Sequence, residues 1–369
     1  MAMKIATHAK LEFPPMKHEQ WPSALSRDIT VAVTTGSRPP EVCGVGDYTE
    51  QLCLALCAIG VNARLVHIGR PRLSDLPAIK RKIAETQADL IHIQYPTMGY
   101  GRSLVPHLLS SPLIRIPRVV TLHEFSIFKF YWWPAFAAFA WGADARIFSN
   151  QIELSAFAAN HPLRQGLDVE IPIGSNIPVA PAIKTRSDEV VYFGLIMPNK
   201  GLECFLDLAQ LSNGRAANRR FLIIGSIPEK FQAFGRRICA KAEMLGIHVE
   251  LNLPPAQVAR RLAAAQFAYL PFPAGACPKR GSMIAALVNG TVVLTRHAAN
   301  TPDWLRGATV HVESPQDALM KIKQLSADNQ ERLRVVSAAR LLNERFSWPA
   351  IAAAHKSLYL SVLRATASK

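Results

Sequence analysis

The stretch Pro271-Phe-Pro-Ala-Gly-Ala-Cys-Pro-Lys-Arg-Gly-Ser282 sets two cations and a glycine ahead of an apolar run. That run, Met283-Ile-Ala-Ala-Leu-Val-Asn-Gly290, reads as a helix stopped by its glycine. Backbone N–H groups at a helix start lack intrahelical partners and carry partial positive charge, so they bind phosphate. Lys279 and Arg280 would add formal charge at the same spot, with Gly281 and Ser282 giving backbone and hydroxyl donors. An ordinary surface turn before a core helix would read the same way. Lys200-Gly201 repeats the arrangement: a lysine at a predicted helix start, placed to meet a phosphate or solvated in a turn.

Three further positions could do chemistry. Cys43-Gly44-Val-Gly46-Asp47-Tyr48 follows the first predicted strand and opens the first helix, predicted over Tyr48 to Ile59. Gly44 and Gly46 would let a ligand approach the backbone closely. No acidic residue ends the second strand, which closes at His67-Ile-Gly69, so this is not a full dinucleotide fingerprint. His123 and Glu124 stand at the carboxyl end of the fourth strand. A histidine there could bond a sugar hydroxyl or a phosphate, shuttle a proton near neutral pH, or be satisfied by the backbone. His92, inside the third strand, is expected to face the core or a neighbouring loop. Asp47, His123 and Glu124 are the candidate catalytic side chains.

The elements that must position these residues alternate. Strands are predicted at Ile29–Thr34, Val61–Ile68, Asp89–Gln94, Arg118–His123 and Ala145–Ser149, with helical stretches between them. A second series follows at Glu189–Phe193, Phe221–Ile224, Val249–Leu251, Ala268–Leu270 and Thr291–Leu294. Strands separated by helices indicate βαβ units and parallel sheets, hence an α/β chain with two doubly wound domains. The proline-broken stretch Ile171–Pro181 is the natural linker, and Trp348 to Leu363 is a helix with no strand after it. The expected organisation is an extension over 1–28, one domain over 29–178 joined by 348–369, and a second domain over 179–347. Two such domains leave a cleft between the carboxyl ends of their strands, where open α/β sheets bind ligands.

Composition narrows the class. Hydrophobic residues at 49% and charged residues at 19% describe a globular chain and exclude a disordered one. Tyr131–Trp141, the most apolar run, is too short to span a bilayer and contains Pro134. Residues 1–28 lack the apolar core of a secretory signal, so a cytoplasmic protein is expected. The six cysteines form no CxxC pair and suggest buried, reduced thiols. A net charge of +15 asks for an anionic partner. With no zinc-finger spacing, RNP-like strand or helix-turn-helix in view, nucleic acid is not expected, which leaves membrane surface and phosphorylated small molecules.

Taken together, these residues resemble a retaining glycosyltransferase of the GT-B fold, in the large GT4-like family, over roughly residues 29 to 365. Cys43-Gly-Val-Gly-Asp-Tyr48 is similar to the family's Gly-Gly-hydrophobic-Gly-Asp-Tyr segment, with Cys43 replacing a glycine. Thr121-Leu-His-Glu124 is similar to its strand-end histidine segment. Phe193-Gly to Lys200-Gly201 looks like the loop whose lysine holds the donor pyrophosphate, and Pro271–Gly290 like the donor-binding loop and helix. The resemblance implies a GT-B architecture of two Rossmann-like domains facing a central cleft, with the last helix crossing back to the first domain. It also implies donor-binding roles for Gly44, Gly46, Lys200, Lys279, Arg280, Gly281 and Ser282.

The departures are specific. Two glutamates eight residues apart in many relatives would fall at Cys277 and Ala285, and an arginine before the loop lysine is replaced by Leu195 or Met197. A subgroup with an arginine-glycine-serine turn also lacks the glutamates, and this chain resembles it most. Lys279 and Arg280 then read as compensating pyrophosphate ligands. The expected reaction is transfer of a sugar, with retention, from a UDP- or GDP-linked donor to a glycan or lipid-linked acceptor. No metal or cofactor is expected. Phe125-Ser-Ile-Phe-Lys-Phe-Tyr-Trp-Trp-Pro134, which interleaves aromatics with Lys129, reads as core packing or as a peripheral contact with anionic membrane at its inner face. The rival expectation is a non-catalytic GT-B subunit that binds or scaffolds a glycan-assembly complex. Base, sugar, acceptor and oligomeric state are not specified.

Overall fold

The computed structural model describes residues 29–367 apart from residues 42, 112, 113, 182, 184 and 214–218. The extension expected over 1–28 lies outside the described residues. Six strands form the first sheet: β1 Ile29–Thr35, β2 Val61–His67, β3 Leu90–Tyr95, β4 Arg118–Leu122, β5 Ala145–Phe148 and β6 Leu167–Glu170. Six more form the second: β7 Ser187–Leu195, β8 Arg220–Ser226, β9 His248–Leu251, β10 Ala265–Tyr269, β11 Val292–Thr295 and β12 Val310–His311. Every pairing is parallel, in the orders β2-β1-β3-β4-β5-β6 and β12-β11-β10-β7-β8-β9.

Strand order reverses between β1 and β3 in one sheet and between β7 and β10 in the other. A crevice opens beyond the carboxyl ends of such strands because successive connections leave to opposite faces. The segments leaving β7 and β10 run to Lys200 and to Pro271–Ser282. The segment leaving β1 runs to Gly44–Asp47, and β4, beside β3, ends at His123. The topology therefore gathers the predicted site residues at strand ends.

The central strands are apolar and enclosed; all six residues of β3 are buried. The expected strands are present, and two more appear. β6 is a half-buried Leu-Asp-Val-Glu edge strand and β12 only two residues, so neither carries the apolar run by which strands were recognised. The first helix spans Gly44–Ala58, starting four residues before the predicted Tyr48, and Gly60 follows with φ 78°. Of the cysteines expected to be buried, Cys43 and Cys53 are, whereas Cys57 is exposed and Cys204, Cys239 and Cys277 are partly exposed.

The chain ends in the helix Trp348–Ala367. Phe346 packs in the core of the second sheet, but Ile351, Ala352, Leu358, Tyr359 and Val362 pack with Val31, Val33, Leu52 and Leu56 of the first. The crossing takes place within a few residues of Trp348, whose indole N–H donates to the Ser175 carbonyl at 3.0 Å. Each large apolar side chain buried this way contributes roughly 1.5–3 kcal/mol, so the helix is held firmly on the first sheet. No helix among the described residues is long and apolar enough to cross a membrane.

Candidate functional site

In the second half, Lys200 and Arg280 come together. The turn after β7 uses Asn199 at φ 61° and Gly201 at φ 82°. A Cβ on Gly201 would lie 2.2 Å from the Pro271 carbonyl oxygen, so only glycine lets the two loops touch. The buried Tyr192 hydroxyl donates to the Lys200 carbonyl at 3.3 Å. Burial lowers the pKa of Lys200, and the charge of Arg280 lowers it further. Arg280 lies over the Phe272 ring, its guanidinium carbon 4.9 Å from the centroid, and its Nε is enclosed without a hydrogen-bond partner. No carboxylate pairs with either cation among the described residues. Two partly desolvated cations side by side without a counter-charge are unfavourable in the free protein and form a site for an anion.

The helix behind them spans Gly281–Val288, two residues longer at its start than predicted, and Arg280 at its N-cap makes no side-chain capping bond. The amides of Gly281, Met283 and Ile284 turn back to the carbonyls of Lys279 and Arg280. Ser282 is left to offer its amide and hydroxyl, and a Cβ built on Gly194 would lie 3.7 Å from the Ser282 Oγ. Gly194, Lys200, Arg280 and Ser282 thus line one spot at a helix start. Ala285 is fully buried and Cys277 partly so, close enough to Lys200 to influence its proton.

Lys279 is engaged elsewhere. Its Nζ lies 2.7 Å from Glu153 Oε1 and 4.0 Å from Glu124 Oε1. Glu153 belongs to the Gln151–Asn160 helix and is 1% exposed. Its carboxylate also accepts the amides of Phe125 and Ser126 at 2.7 and 2.8 Å and the Ser126 hydroxyl at 2.7 Å. Burial alone would raise its pKa; the bonds from Lys279 and Ser126 outweigh that and hold it below the ordinary value. Nothing local in the sequence marks Glu153: a glutamate three residues after an asparagine is the ordinary pattern of a helix start, and Asn150 caps this helix.

In the first half, His123 is 3% exposed and sits in a buried polar chain. Its Nε2 lies 2.7 Å from Gln94 Oε1, and Gln94 Nε2 lies 3.2 Å from His92 Nε2. His92 also meets the Thr121 hydroxyl and, from the last helix, the Tyr359 hydroxyl, each at 2.7 Å. The Tyr48 and His123 rings stand nearly perpendicular with centroids 5.0 Å apart, and Trp348 packs on Tyr48 at 5.3 Å. Burial, and secondarily His355, push the pKa of His123 down to about 3, so its imidazole is neutral at ordinary pH. Gln94, Tyr359 and His355 were not singled out in the sequence; only their separation along the chain hid them.

The glycine segment divides. Gly46 is buried and a Cβ there would meet the Ser37 carbonyl at 3.0 Å, whereas Gly44 has open space around it. Asp47 occupies the first helical turn, partly buried, its pKa raised by burial and then by Glu50. Glu124 is half-exposed beside Lys279. Phe125, Phe128 and Trp133 pack inward, while Ile127, Lys129 and Phe130 are exposed.

The chain matches no family model and no curated protein. Its fold does match solved structures. HepE of Anabaena, solved with UDP and glucose, is 16% identical over 90% of this chain and 100% of its own, with a TM-score of 0.66. Sucrose-phosphate synthase from Thermosynechococcus elongatus is 17% identical over 91% and 100%, with a TM-score of 0.68. A glycosyltransferase from Rickettsia africae is 12% identical over 91% and 99%, with a TM-score of 0.69. The two sheets and their helices have the GT-B architecture.

Proposed function

We propose that the protein is a glycosyltransferase that moves a sugar from a nucleotide-activated donor to a glycan or lipid-linked acceptor. The observation that carries this reading is the Lys200–Arg280 pair, two cations without a carboxylate partner among the described residues, at the start of the Gly281–Val288 helix. A departing nucleoside diphosphate develops negative charge, and preorganised cations and helix N–H groups stabilise it. His123 stands at the other side of the cleft: Lys279, next to Arg280, bonds Glu153, which holds the amides two and three residues beyond His123. The binding of UDP by the similarly folded HepE supports a nucleotide-linked donor.

The finer assignments belong to the same proposal. The donor is UDP- or GDP-linked, transfer proceeds with retention and without a metal ion, and the protein serves bacterial polysaccharide or glycoconjugate assembly. Lys200, Arg280 and Ser282 hold the pyrophosphate, Gly281, with open space around it, lets it approach the backbone, and Lys279 joins them once released from Glu153. Asp47, Glu124 and His123 face the reacting sugar and acceptor, and Gly44 and Gly46 shape the loop beside them. The domains divide near residues 178 and 347. The protein works in the cytoplasm, touching anionic membrane through Ile127, Lys129 and Phe130. Apolar and basic side chains on one exposed segment suit such a surface.

The positions filled by Cys277 and Ala285 favour a second reading, a GT-B subunit that binds without catalysing. A thermal-shift titration with UDP, GDP, ADP and their sugar conjugates, with and without EDTA, separates the two. A ligand that binds only the folded state raises its melting point according to affinity. A shift that survives EDTA, followed by turnover of that conjugate with added acceptor, supports the enzyme. A shift with no turnover on any acceptor, or no shift at all, removes the enzyme and supports a subunit that binds or scaffolds a glycan-assembly complex.

A further inference from the structure

We infer that Gln94 is a positioning residue that sets the tautomer of His123, so that the cleft is offered the lone pair of Nδ1 and not an N–H. The inference rests on the proposed role of His123 beside a donor sugar. Gln94 is completely buried in the middle of the first sheet, paired laterally with Thr121 of β4. Its amide oxygen faces His123 Nε2 at 2.7 Å, and its amide nitrogen faces His92 Nε2 at 3.2 Å. An oxygen acceptor against Nε2 requires the proton there, and a neutral imidazole then carries its lone pair on Nδ1. Nδ1 has no hydrogen-bond partner among the described residues, and it is not one of the sealed, unpartnered nitrogens, which include His355 Nε2.

The chain behind Gln94 continues in the same sense. With the Gln94 amide nitrogen against it, His92 Nε2 is the acceptor, so the His92 proton belongs on Nδ1, facing the Tyr359 hydroxyl, while the Thr121 hydroxyl lies 2.7 Å from Nε2. Tyr359 lies on the last helix, so the return of that helix to the first sheet supplies the far anchor of the chain. His355, on the same helix, keeps its own Nδ1 on the Ile351 carbonyl at 2.8 Å and stands with its ring 5.6 Å from His92. A neutral acceptor at His123 Nδ1 would take a hydrogen bond from a sugar hydroxyl. It would discriminate donors by whether a hydroxyl stands there, because an unmatched buried acceptor loses its partner.

The test is two-dimensional ¹H–¹⁵N spectroscopy of the histidine rings in the full chain, with Gln94→Leu as the variant and His123→Asn to assign the signal. The wild type is expected to carry the His123 proton on Nε2, and Gln94→Leu to lose that single-tautomer signature. In the same variant the binding of the free nucleoside diphosphate stays unchanged, while the extra affinity of its sugar conjugate falls roughly threefold to tenfold. A proton on Nδ1 in the wild type, or a spectrum and sugar increment untouched by Gln94→Leu, overturns the inference. If no nucleotide binds any form, the glycosyltransferase reading fails, and the tautomer spectrum still decides what Gln94 does.

Discussion

Lys279 Nζ lies 2.7 Å from Glu153 Oε1, tying the loop ahead of the Gly281–Val288 helix to the helix that follows β5. The carboxylate is enclosed and holds three further bonds from Phe125 and Ser126, so the contact joins the two halves of the cleft. Removing the cation leaves a buried anion that keeps those three bonds. Lys279→Met should therefore cost on the order of 1–3 kcal/mol, less than stripping a buried charge of all partners. Urea unfolding of the variant checks it; an unchanged midpoint would show that the pair contributes nothing.

Gly201 is the backbone hinge of the cation site. At φ 82°, with 2.2 Å between a built Cβ and the Pro271 carbonyl oxygen, Gly201→Ala must move one loop off the other. A destabilisation of about 1–3 kcal/mol is expected, together with weaker nucleotide binding as Lys200 and Arg280 separate. Calorimetry on the folded variant would contradict this if nucleotide affinity were retained.

Stability should fall on mild acidification. Burial pushes the pKa of His123 down to about 3 and that of His355 down to about 4, and holds His92 well below its usual value. Each is a base with a folded pKa below its unfolded value near 6.5, so the unfolded chain binds the extra proton. Stability is then lost as pH drops from about 6.5 towards 4, by about 1.4 kcal/mol per pH unit for each histidine that stays neutral. Urea midpoints at pH 7, 6 and 5 measure the slope. His355→Gln should shed about one proton's worth of it, and an identical slope in that variant would refute the assignment.

How much of this was legible in the sequence depends on separation along the chain. The strand series and the loops carrying Lys200 and Arg280 are local patterns of apolar runs and glycines, and the fold follows them. β6 and β12 escaped because Leu167-Asp-Val-Glu170 alternates with acids and Val310-His311 is only two residues, so neither stands out from a loop. Lys279 was read from its neighbour Arg280, yet its partner Glu153 lies 126 residues away. His92, which bonds Gln94, meets Tyr359 across 267 residues, a link that only the returning last helix creates.

If Lys200 and Arg280 hold the diphosphate of a nucleotide, removing both must weaken nucleotide binding. Isothermal titration of UDP and GDP, in EDTA, into the wild type and the Lys200→Ala, Arg280→Ala double variant measures this. The wild type should bind, and the double variant should lose about 3 kcal/mol or more, from two charge-assisted contacts of about 1.5–3 kcal/mol each. Equal affinity in both proteins, with the variant folded, would place the nucleotide elsewhere on the molecule.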